Sequence, residues 1–75
     1  MSPEERIVAA SYETWDHRHL IHRGDALAIL GKDHPARAAI DGLPCEGNHK
    51  VGYCCGVVVA RDAVLDAVVS LGRTG

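Results

Sequence analysis

The sequence predicts an all-α, mainly helical protein: a small single-domain bundle of three to four helices over residues 1–75, with a Cys/His-containing loop and at most one short strand near residues 53–60. Three observations predict it. A capped, proline-led helix start at Ser2 is followed by a long stretch without a helix breaker. Within that stretch Val8, Tyr12, Trp15, His19 and His22 recur at helical spacing. A helix over the C-terminal third would gather Cys54, Val58, Leu65, Val68 and Val69 on one face.

The first element is the best supported. Ser2 can cap, Pro3 suits the first helical position, Glu4 and Glu5 favour the positive end of the helix dipole, and Ser2 with Glu5 has the capping-box spacing. The helix is expected to run to about Arg23, with Tyr12 and Trp15 as the largest pieces of the core and Arg6, Glu13 and His17 on the far side. Its inward stripe ends in His19 and His22.

Gly24-Asp25 offers a stop and a fresh cap for Ala26–Leu30, although a glycine costs a helix interior only about 1 kcal/mol and one continuous helix through Gly24 is also compatible with the pattern. Gly31-Lys32-Asp33 reads as a turn. Asp33-His34-Pro35 then starts a short helix to about Ile40, ended by Gly42 and Pro44. The tail from Val51 to Leu71 is read first as a helix. Its alternative is a strand over Tyr53–Ala60 followed by a helix capped by Asp62 and ending at Gly72, which the run Val57-Val58-Val59 favours locally. The helix is preferred because such a strand has no evident partner in the sequence.

Composition bounds the function. A chain of 75 residues with no Phe, one Trp and two Tyr has few side chains able to bury large areas, and domains of this size often recruit a metal, a disulfide or an oligomer interface. The formal charge of -2, with the cations scattered, gives no stripe for nucleic acid. A direct DNA-binding role would take the form of a helix-turn-helix over Asp33–Ile40 and is weakly supported. No apolar run approaches membrane-spanning length, and the first residues lack the basic-then-apolar order of an export signal, so a cytoplasmic protein without membrane contact is expected.

All three cysteines fall within Cys45-Glu-Gly-Asn-His49-Lys-Val-Gly-Tyr-Cys54-Cys55, an odd number in a chain without an export signal. That favours metal ligation or reduced core thiols over a closed set of disulfides. Zinc takes about four Cys or His ligands. Cys45 and His49 could fold back around an ion across Gly47, Cys54 and Cys55 follow, and His19 and His22, one helical turn apart, could complete the shell. The competing readings are that Cys54 and Cys55 are small core residues and that the histidines border a polar edge near Asp16 and Glu46. His17 and His34 read as surface residues.

Enzyme readings fare worse. The adjacent thiols lack the C-x-x-C context of a redox enzyme, Glu13 and His17 point away from His19 and His22 on a helix, and no serine sits in a nucleophile turn. The expectation is a non-enzymatic binding or regulatory module stabilised by a structural zinc site. The alternative is a metal-free helical interaction protein acting as a homodimer, and in either case a protein partner or self-association is implied.

Overall fold

The computed structural model describes residues 2–46 and 57–72 of the chain. Four helices and a three-stranded antiparallel sheet make it a mixed α/β fold, which overturns the all-helical expectation. Helix α1 spans Pro3–Ala10, as its capping signals require. Ser2 Oγ accepts the Glu5 N–H at 3.2 Å, and the two acids lie in the first turn.

The helix ends well short of Arg23. Ser11 is extended, its N–H donates to the Ile7 carbonyl at 3.0 Å, and its hydroxyl donates to the Val8 carbonyl at 2.6 Å. A serine that satisfies the last turn in this way offers the backbone an alternative to another helical residue. Tyr12, Thr14 and Trp15, aromatic or β-branched, follow it, and such residues suit a pleated surface better than a helix. The chain forms a hairpin, β1 (Tyr12–Glu13) and β2 (His19–His22), paired Tyr12 to Leu20 and Glu13 to His19. Its turn is closed by the Thr14 N–H to the Arg18 carbonyl at 2.7 Å and the His17 N–H to the Thr14 carbonyl at 2.9 Å, with His17 at φ 65°.

Helix α2 (Arg23–Leu30) starts directly from β2 and passes through Gly24, so neither a break at that glycine nor a helix continuous with α1 is found. It stops at Gly31, whose φ of 80° is the left-handed conformation that glycine tolerates without a Cβ clash. The short helix expected from Asp33 begins later, as α3 (Arg37–Asp41), because the His34 Nδ1 accepts the Ala36 N–H at 3.1 Å and holds residues 34–36 in a turn. Arg37 ties α3 to α2 by donating to the Leu27 carbonyl at 2.8 Å and the Gly31 carbonyl at 3.0 Å. These carbonyls belong to the end of α2, where the Gly31 N–H already donates to the Leu27 carbonyl at 3.1 Å and the Gly31 carbonyl lies past the last intrahelical bond.

The preferred helix over Val51–Leu71 is also corrected. The described part is a strand, β3 (Val58–Ala60), followed by α4 (Arg61–Gly72), and the strand's partner is β2, paired Leu20 to Ala60, Ile21 to Val59 and His22 to Val58. The sheet order is therefore β1-β2-β3.

Cross-strand partners share a face. Ile21 and Val59 face the helices and join Ile7, Ala26, Ala36, Ile40, Val64 and Val68 in one buried cluster. Tyr12, Leu20, His22, Val58 and Ala60 take the opposite face, where Leu20 and Val58 are also buried. The expected core stripe is wrong residue by residue. Ile7 is the buried residue of α1, whereas Val8, Tyr12 and Trp15 are exposed, Trp15 to 92%. Once the chain leaves the helix at Ser11, a 3.6-residue period no longer says where Tyr12 and Trp15 point. Among the described residues no helix is long and apolar enough to cross a membrane.

Candidate functional site

Cys45 is half-buried in a segment tied down on both sides. Before it, the Leu43 carbonyl accepts from the Arg23 guanidinium, and the Leu43 N–H donates to the Ile40 carbonyl at 3.1 Å. After it, the Glu46 N–H donates to the Val58 carbonyl at 2.7 Å, which lays Glu46 along the edge of β3 away from β2. The Glu46 carboxylate also meets Arg18 Nη2 at 2.8 Å. Cys45 is thus held beside β3 by contacts of its neighbours Leu43 and Glu46 to four different parts of the chain.

His19 and His22 are both exposed on β2, and their placement alters the expected ligand set. The helical argument put them on one face, one turn apart. On a strand, residues three apart point to opposite faces. His22 lies on the face of Tyr12 and Val58, its ring centroid 6.0 Å from that of Tyr12, whereas His19 shares the Ile21 face with Glu13. The two cannot serve one ion together. His49, Cys54 and Cys55 lie outside the described residues, and among the described residues no three His, Cys, Asp or Glu side chains converge on a common metal position.

Strand pairing also gives one juxtaposition that a helix would not, Glu13 with His19, beside the Glu13–His17 pair, whose spacing of four would suit a helix as well. Glu13 stands opposite His19, and the His17 Nδ1 lies 2.9 Å from a Glu13 carboxylate oxygen. Both partners are open to water, so the pair has neither the enclosure nor the positioned third group that acid–base catalysis uses. At the turn the Thr14 hydroxyl donates to Asp16 and, as the largest cause, holds the Asp16 carboxyl below its ordinary value of 3.8; Arg18 acts in the same direction. Asp16 is therefore a turn residue.

One surface went unread in the sequence. Along the seam of α1 and α4 lie two hollows of about 440 and 420 Å³ that share Glu4 and Val69 in their walls. One continues past Val8 and Leu65, the other past Val68 to His34, whose ring lies 3.6 Å from where a Cβ on Gly72 would stand. The sequence pattern puts Val69 in a core face and accounts for Glu4 by the helix dipole alone. The usable signal is that Ile7 and Val8 stand about 100° apart on a helix, so that centring one on the core turns the other toward the edge of the inward face.

Neither family models, nor curated proteins, nor solved structures yield a match to this chain.

Proposed function

We propose that the chain is a non-enzymatic binding or regulatory module whose fold is stapled by a zinc ion, with Cys45, His49 and Cys54 as ligands and Cys55 or His22 as the fourth. The observation that carries this reading is the hydrogen bond from Glu46 to Val58. It joins the two ends of the Cys/His segment, with Cys45 one residue before one end and Cys55 three residues before the other. Three residues of chain reach at most about 11 Å, which is the longest separation that the chain allows between Cys55 and Val58. His22, the Cα partner of Val58, is the histidine in that row. His19, on the other face and farther along β2, drops out of the set.

The chemistry of the set fits zinc, since thiolates with one or two imidazoles are the ordinary shell of a structural site. The thinness of the core supports a staple. Its largest fully buried side chains are isoleucines and valines, and the chain's tryptophan contributes almost nothing to it.

A native mass spectrum beside a denatured one tests the reading, with a chelator titration followed by circular dichroism. An added mass of about 63 to 65 Da in the native spectrum alone, with loss of helix signal on chelation, is the expected result, because in small metal domains binding free energy is folding free energy. A bare chain mass together with a melting curve unchanged by chelator and by Cys45→Ser would overturn it.

A further inference from the structure

The α1–α4 seam is a surface that the zinc staple leaves unused. Val8 is 47% and Val69 41% exposed, side by side with half-buried Leu65, which is a costly way to place aliphatic residues unless something covers them. Between the two hollows sits Glu4, itself half-buried. Glu5 has a local task, accepting the Ser2 hydroxyl in the capping box at 3.3 Å. Glu4 makes no hydrogen bond or ion pair among the described residues. The helix dipole accounts for an acid near the start of α1, but not for an unpaired carboxylate set between Val68, Val69, Val8 and Leu65.

We propose that this seam is a docking groove for an amphipathic helical segment of another protein, one that presents aliphatic side chains on both sides of a single lysine or arginine. The proposal rests on the reading of the chain as a binding module and names the chemistry of its partner. The aliphatic side chains would fill the two hollows, and the cation would meet Glu4 between them. A helix supplies that spacing, since residues three and four apart stand on one face. Charge decides against a second copy of the chain as the occupant. A two-fold contact between like seams would bring Glu4 and Glu5 of one copy against Glu4 and Glu5 of the other, and among the described residues no lysine or arginine lines either hollow.

The test is a titration of the ¹⁵N-labelled full chain, as purified, with two synthetic helical peptides. Both carry leucines at i and i+7 and differ only in the residue at i+4, lysine in one and glutamate in the other. The lysine peptide is expected to shift the amides of Glu4, Val8, Leu65 and Val69 and to bind at least about 10-fold more tightly than the glutamate peptide. Glu4→Gln should weaken the lysine peptide about 3- to 10-fold and leave the glutamate peptide unchanged or tighter, and Val69→Glu should abolish binding of both. Both substituted side chains stand at the surface of the seam, and the unshifted amides of the core report whether each variant is folded.

Equal affinity for the two peptides, shifts confined to other surfaces, or no shift at millimolar peptide would overturn the proposal. So would a doubling of mass with concentration that Val69→Glu removes, because a second copy would then be the occupant. The zinc reading stands or falls separately on its mass spectrum, whatever the peptides do.

Discussion

The helix-covered face of the sheet and the tip of its hairpin use apolar residues in opposite ways. On the helix side, medium-sized residues from every helix close over Ile21 and Val59, and Ile7, Ile40 and Val64 are fully buried. On the hairpin, the largest side chain in the chain stands almost wholly in water. Residue type therefore does not rank the contributions to stability here. What ranks them is whether a second layer lies over the residue. The helix side has one, and the hairpin tip has none.

The sharpest way to break that comparison is a pair of truncations. Ile21→Ala removes a side chain from the centre of the cluster and should cost about 2–5 kcal/mol. That is a large part of the total for a domain this small. Trp15→Ala removes more atoms but should stay within about 0.5 kcal/mol. Urea melts of the two variants beside the parent check both. A Trp15 variant as damaged as the Ile21 variant would mean that the indole is covered and that the hairpin tip and the helix-covered face are alike.

The same contrast explains what the sequence could and could not reveal. Ser2, Pro3 and Glu5 marked the start of α1, and Gly31 and Gly42 marked the ends of α2 and α3, because caps and left-handed turns are local and need only their own neighbours. The hairpin was missed because Val8, Tyr12, Trp15, His19 and His22 fit a helical period by spacing alone. Ser11, Thr14 and Asp16, each with a side chain that bonds nearby polar groups, were the counter-signal. The pairing of β2 with β3 could not be read at all. It joins Ile21 to Val59 across α2, α3 and the Cys/His segment, and nothing near Val59 announces its partner. The site suffered the same way. Its cysteines were legible as a cluster, but the spacing of His19 and His22 meant convergence only on a helix, and a strand turns it into divergence.

A smaller effect sharpens the comparison within the helical layer. Arg37 joins α3 to α2 through two carbonyls at the end of α2, so Arg37→Ala leaves the Gly31 carbonyl to water or to nothing and the Leu27 carbonyl with the Gly31 N–H alone. The cost should be about 1–2 kcal/mol, below that of Ile21→Ala because Arg37 is only half-buried. Hydrogen exchange should show faster opening at Gly31 and in α3, with Val59 and Ile21 little changed. Uniform loss of protection would instead make the polar tie as central as the apolar cluster.

The smallest expected effect separates the hairpin tip from the helix-covered core by pH. Asp16 titrates below its ordinary value of 3.8, first because the Thr14 hydroxyl donates to it and then with help from Arg18. A carboxyl whose value is depressed in the folded state contributes stability that is present above 3.8 and is lost as pH falls through the lower, folded value. Asp16 is fully exposed, so the loss is confined to the turn and screened by water. Below about pH 4 the emission of Trp15, its chain neighbour, should therefore change while the amides of Ile21 and Val59 keep their protection. Thr14→Val should move the Asp16 titration up toward 3.8 and leave the Ile21→Ala penalty as it was, since a turn in water and a cluster under helices share no partner. Simultaneous loss of both signals on acidification would show that the hairpin and the core unfold as one unit, and the contrast between the two regions would then describe exposure but not energetics.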